Sequence, residues 1–190
     1  MEAALSISIL RRVFWFLNKF FMVPMFRLGF GPFIGNPLSG YIMVIKNTGR
    51  KSGKTRYAPV NYCIHQGDLY CLAGFGKVSD WYRNILANPH IEVIHPDGSL
   101  AGVAEVVKET ENRTALLRMV LKNAGFAGFF EGFNPFTISD EELERKLGDR
   151  PLIRIHPVGL GNGASDPAGW MWVSVVVICV LVVVALVRFC

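Results

Sequence analysis

The residues best suited to chemistry form one short basic stretch of the chain, residues 48–56. Two glycines, Gly49 and Gly53, enclose three polar residues, and two more cations follow within three positions. Glycines permit a tight turn and a close approach of the backbone to a ligand. Four cations within seven residues repel one another, so the stretch predicts a loop that binds an anion. Its polar members are Arg50, Lys51, Ser52, Lys54 and Arg56.

A nucleotide-binding P-loop is the first alternative for this stretch. It needs four residues between its glycines and a helix after its lysine. Only three residues separate Gly49 from Gly53, and a strand pattern follows, so the sequence excludes a nucleoside triphosphatase. No recognised nucleic-acid motif accompanies the charge, so nucleic acid is not expected as a partner. A solvated basic hairpin without a ligand stays open.

A second stretch, residues 80–89, combines aromatic and polar side chains. Ser79 is placed to cap a helix that ends before the Asn-Pro pair at positions 88 and 89. Trp81 fits a buried stripe on that helix, whereas Tyr82 points elsewhere, towards a cleft. The four histidines lack metal-ligand spacing, so no metal site is expected.

Short segments rich in β-formers surround these two stretches and are bounded by Gly, Pro, Asp or Asn. Few helices interrupt them, so the pattern predicts a mainly β (α+β) fold built as a small barrel or split barrel. The predicted strands are Tyr41–Asn47, Thr55–His65, Asp68–Gly74, His90–His95, Leu100–Glu109 and Leu152–Val158.

Together the two stretches resemble the deazaflavin-dependent nitroreductase family, which also includes quinone reductases. The resemblance depends on residues 48–53, on Arg56 with Pro59 after it, and on residues 80–89; it covers residues 40–110 well. It implies a split β-barrel of the flavin-binding type. It also implies coenzyme F420, an acidic 5-deazaflavin with a phosphodiester and an oligoglutamate tail.

The resemblance also implies roles for individual residues. Lys51, Ser52 and Arg56 would hold phosphate or tail carboxylates, and the segment around Gly74 would form a second cofactor loop. The full cofactor-binding set is Arg50, Lys51, Ser52, Arg56, Ala58, Pro59, Gly74, Gly76, Lys77 and Trp81. The tyrosines expected near the reacting groups, as candidate catalytic residues, are Tyr57, Tyr62 and Tyr82.

The implied reaction is hydride transfer from reduced F420 to a quinone, a nitroaromatic compound or an activated alkene. A reductase that uses FMN on the same barrel is an alternative within enzymes. A non-catalytic, membrane-anchored protein that binds a cofactor is the alternative outside them. A homodimer is a further expectation.

Charge is distributed unevenly along the chain. Residues 1–67 contain nine Lys or Arg and only Glu2 as an acid, a net charge of +8, whereas the remainder carries −3. Residues 5–23 predict a helix ended by Pro24, with a basic stripe beside a broad apolar face. Such a helix suits either the membrane surface or packing on its own domain, and both alternatives stay open.

The C-terminal region contains 21 consecutive residues without a charge, from Pro167 to Val187. A helix of that length spans roughly 31 Å, close to the thickness of a bilayer's hydrocarbon core. The sequence therefore predicts a single-pass anchor in the cell membrane, lipid as a partner, and the main domain on the cytoplasmic side. The predicted divisions are a basic segment and connector (1–36), a barrel domain (37–160), a linker (161–169) and a transmembrane helix (170–188).

Overall fold

The computed structural model describes residues 12–108, 112–165 and 171–189. Its strands are β1 (Ile42–Thr48), β2 (Thr55–His65), β3 (Asp68–Leu72), β4 (His90–His95), β5 (Gly98–Val106) and β6 (Leu152–Leu160). Its helices are a π-helix (Asn18–Met22), α1 (Val23–Arg27), α2 (Gly31–Ile34), a 3₁₀-helix (Gly76–Val78), α3 (Asp80–Ala87), α4 (Arg113–Lys122), a second 3₁₀-helix (Gly125–Glu131), α5 (Asp140–Leu147) and α6 (Met171–Phe189).

The six strands form a closed antiparallel barrel in the order β1-β2-β3-β6-β5-β4, so the prediction of a split barrel is wrong. The sheet closes because β1 pairs with β4 through Val44–Ile94, Ile45–Val93 and Lys46–Glu92. These pairings join residues far apart in the chain. A pattern read along one strand therefore could not reveal them.

Alternate side chains fill the barrel, as expected for strands whose residues point in turn to opposite faces. Met43 and Ile45 belong to the interior cluster, whereas Val44 between them packs outside the barrel. β1 is thus buried on both faces. Helix α3 adds Tyr82 and Ile85 to the interior cluster and so packs against the barrel core. A separate cluster outside the barrel joins α4 and α5 to β2, β3 and β6.

The N-terminal helix continues past Pro24, where the sequence predicted its end. From residue 12 the chain is helical to Arg27, and the turn before the proline is a π-helix in which Val23 N–H donates to Asn18 O. Proline lacks the N–H of a regular helical turn and crowds the preceding one, and a π turn accommodates both effects. Val23 and Phe26 are buried against the outer face of β1 and β4. Residues 5–11 of the predicted helix lie outside the described ranges.

Residues 161–165 contact the barrel after β6 ends. Gly163 O accepts a hydrogen bond from Lys46 Nζ (2.8 Å), and Asn162 N–H donates to Glu92 Oε2 (2.9 Å). Lys46 and Glu92 also pair with each other at 3.0 Å. The first half of the segment predicted as a linker is therefore attached to the seam between β1 and β4.

The predicted transmembrane helix is not supported. No helix within the described ranges has both the length and the apolar character needed to cross a bilayer. Within the described residues, α6 spans Met171–Phe189 and contains Arg188 in its last turn. This finding overturns the predicted helix at 170–188, and with it the single-pass membrane localisation and the orientation assigned to the main domain.

Candidate functional site

The basic stretch forms the tight hairpin loop between β1 and β2. Gly49 O accepts hydrogen bonds from Ser52 N (3.1 Å) and Gly53 N (2.8 Å), and Gly49 N donates to Lys54 O (2.9 Å). Gly53 has φ +64°, and a Cβ at Gly49 would lie 2.9 Å from Ser52 Oγ. Both positions therefore require glycine, Gly53 for its backbone conformation and Gly49 for lack of space. We call residues 49–54 the hairpin loop.

Arg50 points from the hairpin loop to helix α3. Its guanidinium lies 3.0 Å from Asp80 Oδ1 and donates to Asn84 Oδ1, also at 3.0 Å. The backbone N–H of Arg50 donates to the same Asn84 oxygen (3.1 Å). The Arg50 side chain is 22% exposed. One of the four predicted anion-binding cations is thus already paired with a carboxylate of the protein.

Two buried asparagines complete this connection between loop and helix. Asn84 Nδ2 donates to Asn47 Oδ1 (3.4 Å), and Asn47 Nδ2 donates to the backbone oxygen of Trp81 (3.2 Å). Each asparagine is 4% exposed. Sequence reasoning missed Asn47 altogether and gave Asn84 no role of its own. The sequence offered one indication of a role for Asn47, which is that a polar residue stands near the end of an otherwise apolar strand.

The other cations of the stretch, Lys51, Lys54 and Arg56, are exposed. Arg56 donates to Ser52 Oγ (3.4 Å). Within the described ranges, none of the three has an acidic partner at salt-bridge distance. No acid among the described residues compensates their charge, so this rim of the barrel should attract anions.

An open strand edge lies beside these cations. β2 pairs with β1 from Thr55 to Asn61, but its pairing with β3 begins only at Tyr62. No described strand pairs with the other edge of β2 over residues 55–61, where Pro59 has no N–H to donate. The chain leaves β3 after Leu72 and reaches Asp80, which contacts Arg50 of the hairpin loop. Residues 73–79 connect these two points, and we call the space between this connection and residues 55–61 of β2 the notch.

The predicted second cofactor loop borders the notch. Added Cβ atoms at Gly74 and Gly76 would meet nothing within 4 Å, so open space lies beside both glycines. Arg83 Nε donates to Lys77 O (3.0 Å), which fixes this loop to α3. Lys77 itself is exposed, and Trp81 is half-buried against the interior cluster. The structure places Lys51 and Ser52 in the hairpin loop, Arg56, Ala58 and Pro59 on β2, Gly74, Gly76 and Lys77 in the second loop, and Trp81 in the first turn of α3.

Ser79 differs from its predicted role. It occupies the position before α3, yet its hydroxyl makes no capping hydrogen bond. Ser79 Oγ is buried and lacks any hydrogen-bond partner among the described residues. A buried hydroxyl without a partner is unfavourable unless a ligand or water supplies one. The residue sits at the junction of the second loop and α3, so it borders the notch.

The three candidate tyrosines lie in different places. Tyr57 is on the outer face of β2, where Arg27 stacks 4.8 Å from its ring centroid and Ser165 N–H donates to its hydroxyl (3.3 Å). Tyr82 is 8% exposed within the interior cluster. Tyr62 lies seven residues along β2 from Thr55, about 23 Å at roughly 3.3 Å per residue. The structure therefore does not assemble them around one reacting centre.

Tyr62 instead bonds to a histidine at the far end of the barrel. Its hydroxyl contacts His95 Nε2, and Asp97 N–H donates to His95 Nδ1 (3.3 Å). Burial, and next the Asp97 charge, raise the pKa of Tyr62. Burial lowers the pKa of His95, and the Asp97 carboxylate opposes that shift. Among the described residues no group of three His, Cys, Asp or Glu side chains is arranged to hold a metal ion.

A groove of about 250 Å³ lies next to the hairpin, along the seam between β1 and β4. The two strands pair over only three residues, so they separate towards the hairpin loop. Thr48, Thr55 and His90 are among the residues that line this groove. None of the predicted site residues lines it, and the groove is therefore distinct from the notch.

The molecule is thus a closed barrel whose rim carries a cationic glycine hairpin beside an edge of β2 that no described strand pairs. A model of the F420H(2)-dependent quinone reductase family matches residues 23–133. The match covers more than half of the 190 residues, so the chain belongs to this family and is an oxidoreductase that depends on F420. FMN and membrane lipid gain no support from it.

Solved structures show weaker likeness. The chain is 27% identical to an F420-H2 dependent reductase (FDR-A), over 60% of this chain and 91% of that chain, with a TM-score of 0.41. A protein described as a domain-swapped dimer is 25% identical, over 64% and 88%, with a TM-score of 0.46. A conserved hypothetical protein from Mycobacterium tuberculosis is 16% identical, over 67% and 87%, with a TM-score of 0.44. No curated protein matches the sequence significantly.

Proposed function

We propose that the chain binds reduced F420 across the notch and reduces a quinone there. The observation that carries this proposal is the rim of uncompensated cations, Lys51, Lys54 and Arg56, beside an open strand edge. Lys51 and Arg56 would bind the phosphodiester or the tail carboxylates, with Ser52 as a hydrogen-bond donor. Charge-assisted bonds of this kind are the strong ones in protein–ligand recognition.

The residues around the notch fit such a cofactor in two further respects. The open space beside Gly74 and Gly76 admits a flat ring close to the backbone. The unpartnered Ser79 Oγ is available to hydrogen-bond a polar ring edge. When bound, reduced F420 supplies a hydride to the acceptor. The side chains of Phe75 and Trp81 would exclude water from the place where the acceptor meets the cofactor.

The acceptor must also gain a proton to complete a two-electron reduction. The Tyr57 hydroxyl, on the outer face of β2, is engaged by Ser165, and the Tyr62 hydroxyl, in the barrel core, is engaged by His95. Tyr82 lies on α3 next to Trp81, but it is buried in the barrel core. We therefore assign proton supply to water at the exposed rim, in place of the three tyrosines. Nitroaromatic compounds and activated alkenes remain alternative acceptors, and a homodimer remains a prediction.

The proposal is tested with purified chain, F420 titrated by its fluorescence, and turnover of reduced F420 with menadione. Lys51→Ala and Arg56→Ala should each weaken cofactor binding about tenfold or more, because bonds to charged groups contribute roughly 1.5–3 kcal/mol. Lys108→Ala, at an exposed lysine elsewhere, is the matched control. Equal affinity in the wild type and in both variants would remove the site assignment. Absence of menadione turnover by the wild type would remove the quinone as acceptor.

A further inference from the structure

We propose that Arg50, Asn47 and Asn84 form a positioning cluster that sets the hairpin loop against α3 and controls cofactor affinity without touching the cofactor. The inference rests on the proposed function, because it concerns the same notch. It reassigns Arg50, which the resemblance placed among the cofactor-binding residues.

The first argument comes from the charge of Arg50. Its guanidinium is 3.0 Å from Asp80 Oδ1, and it also donates to Asn84 Oδ1. A ligand anion would have to displace these bonds before it could use the same charge. Lys51, its neighbour in the loop, has no such partner among the described residues. Arg50 therefore stabilises the contact between the hairpin loop and α3, whereas Lys51 is available to the ligand.

The second argument is that the Asn84 side chain bonds to two different segments of the chain. One side-chain oxygen accepts both the Arg50 N–H and the Arg50 guanidinium, while the side-chain nitrogen donates to Asn47. Asn47 in turn donates to the backbone of Trp81. The loop, the end of β1 and the first turn of α3 are thus joined through two asparagines, Asn47 and Asn84, that are almost fully buried. Buried polar groups of this kind tolerate little displacement, because an unsatisfied member is costly.

The third argument is that α3 also holds the opposite border of the notch. Arg83 Nε donates to Lys77 O in the second loop. The hairpin loop and the second loop therefore both take their position from one helix of eight residues. A change in the cluster would alter the separation between the two borders, and so the affinity of whatever binds between them.

Four variants of the full chain test the cluster: Asn84→Ala, Asn84→Asp, Asp80→Asn and Lys51→Ala. F420 affinity is measured by fluorescence titration at several salt concentrations, because the dependence of log Kd on log salt becomes steeper as more protein charge faces the anionic ligand. Asn84→Ala should weaken binding about tenfold with the slope unchanged. Lys51→Ala should weaken binding and make the slope shallower. Asn84→Asp retains an acceptor for Arg50 and should recover part of the lost affinity.

Asp80→Asn is the sharpest variant, because Asp80 is largely exposed and its change leaves the core intact. Loss of the carboxylate removes the charge partner of Arg50, so the salt slope should become steeper. An unchanged slope in Asp80→Asn, or a shallower slope in Asn84→Ala, would overturn the separation between positioning and binding cations.

Trypsin cleavage of the ligand-free chain keeps the inference separate from the proposed function. The hairpin loop contains Arg50, Lys51 and Lys54, and attachment to α3 should protect it. Asn84→Ala should be cut in this loop at least several-fold faster than wild type, with the rate of cleavage elsewhere unchanged. Equal rates would overturn the cluster even if F420 binds. If Asn84→Ala is cut faster but the wild type binds no F420, the positioning role of the cluster would be supported and the proposed function would be wrong.

Discussion

The buried polar side chains at the two ends of the barrel have different kinds of hydrogen-bond partner. At the hairpin end, Asn47 and Asn84 bond to a loop and a helix, and exposed cations remain without acidic partners beside them. At the other end, the Tyr62 hydroxyl and His95 bond to each other. At the hairpin end, the buried asparagines hold a charged surface loop in position. At the other end, the buried tyrosine and half-buried histidine satisfy each other's hydrogen bonds within the core. Function and stability should therefore respond separately to changes at the two ends.

The largest expected effect follows from removing charge at the hairpin end. The double variant Lys51→Ala/Arg56→Ala should weaken F420 binding about a hundredfold, since two charge-assisted bonds are lost. Both side chains are exposed, so the midpoint of thermal unfolding should stay unchanged. Fluorescence titration and calorimetry measure the two quantities. A large fall in the unfolding midpoint would break the proposed separation of function from stability.

The converse effect is expected at the far end. Tyr62→Phe leaves half-buried His95 without its hydroxyl partner and should lower the free energy of unfolding by about 1–3 kcal/mol. Cofactor affinity should stay within twofold of wild type, because the Tyr62 hydroxyl bonds to His95 at the opposite end of the barrel from the hairpin loop. Denaturant unfolding and F420 titration check both statements. Loss of cofactor affinity in this variant would restore Tyr62 as a member of the site.

Two glycines offer a matched pair with a smaller effect. Gly53 in the hairpin loop and Gly67 in the β2–β3 turn have φ of +64° and +87°, and neither has an atom within 4 Å of an added Cβ. Alanine at either position should cost roughly 1–2 kcal/mol of stability, because the left-handed conformation disfavours a Cβ. Only Gly53→Ala should also weaken F420 binding. If Gly67→Ala weakens F420 binding equally, the loss of binding is caused by general destabilisation of the fold.

The smallest expected effect concerns pH. Burial lowers the pKa of His95, so the folded chain binds a proton less readily than the unfolded chain, whose histidine titrates near 6.5. Stability should be fully present above that pH and should fall as the pH drops below it. The Asp97 carboxylate opposes the shift and keeps the effect small. Urea unfolding between pH 5 and 8 measures this effect, and His95→Gln should flatten the profile.

The sequence was most informative where function depends on local order. The glycine spacing in residues 48–53 defined the hairpin loop, and the family assignment agrees with the resemblance carried by that loop and residues 80–89. The conformation of a hairpin is determined by neighbouring residues. Its glycines and cations could therefore be interpreted from their order in the chain alone.

Contacts between distant segments were not accessible in this way. Barrel closure depends on the β1–β4 seam, and the state of Arg50 depends on Asp80, thirty positions later. The sequence analysis placed the tyrosines together as candidate catalytic residues. In the structure, the position of each along β2 puts Tyr57 on the outer face of the barrel and Tyr62 near the end opposite the hairpin loop. An uncharged run likewise predicted a membrane span, which no helix of the described residues supports.

Pro59 has a consequence for the behaviour of the chain in concentrated solution. An unpaired strand edge is a template on which a neighbouring molecule can add a strand, and such additions lead to aggregates. A proline interrupts the row of donors that a foreign strand would need, and the nearby guanidinium of Arg56 adds repulsion between copies. Pro59→Val should thus promote self-association, measurable by light scattering. In this way the strand edge beside the proposed cofactor site is protected from pairing with a second polypeptide strand.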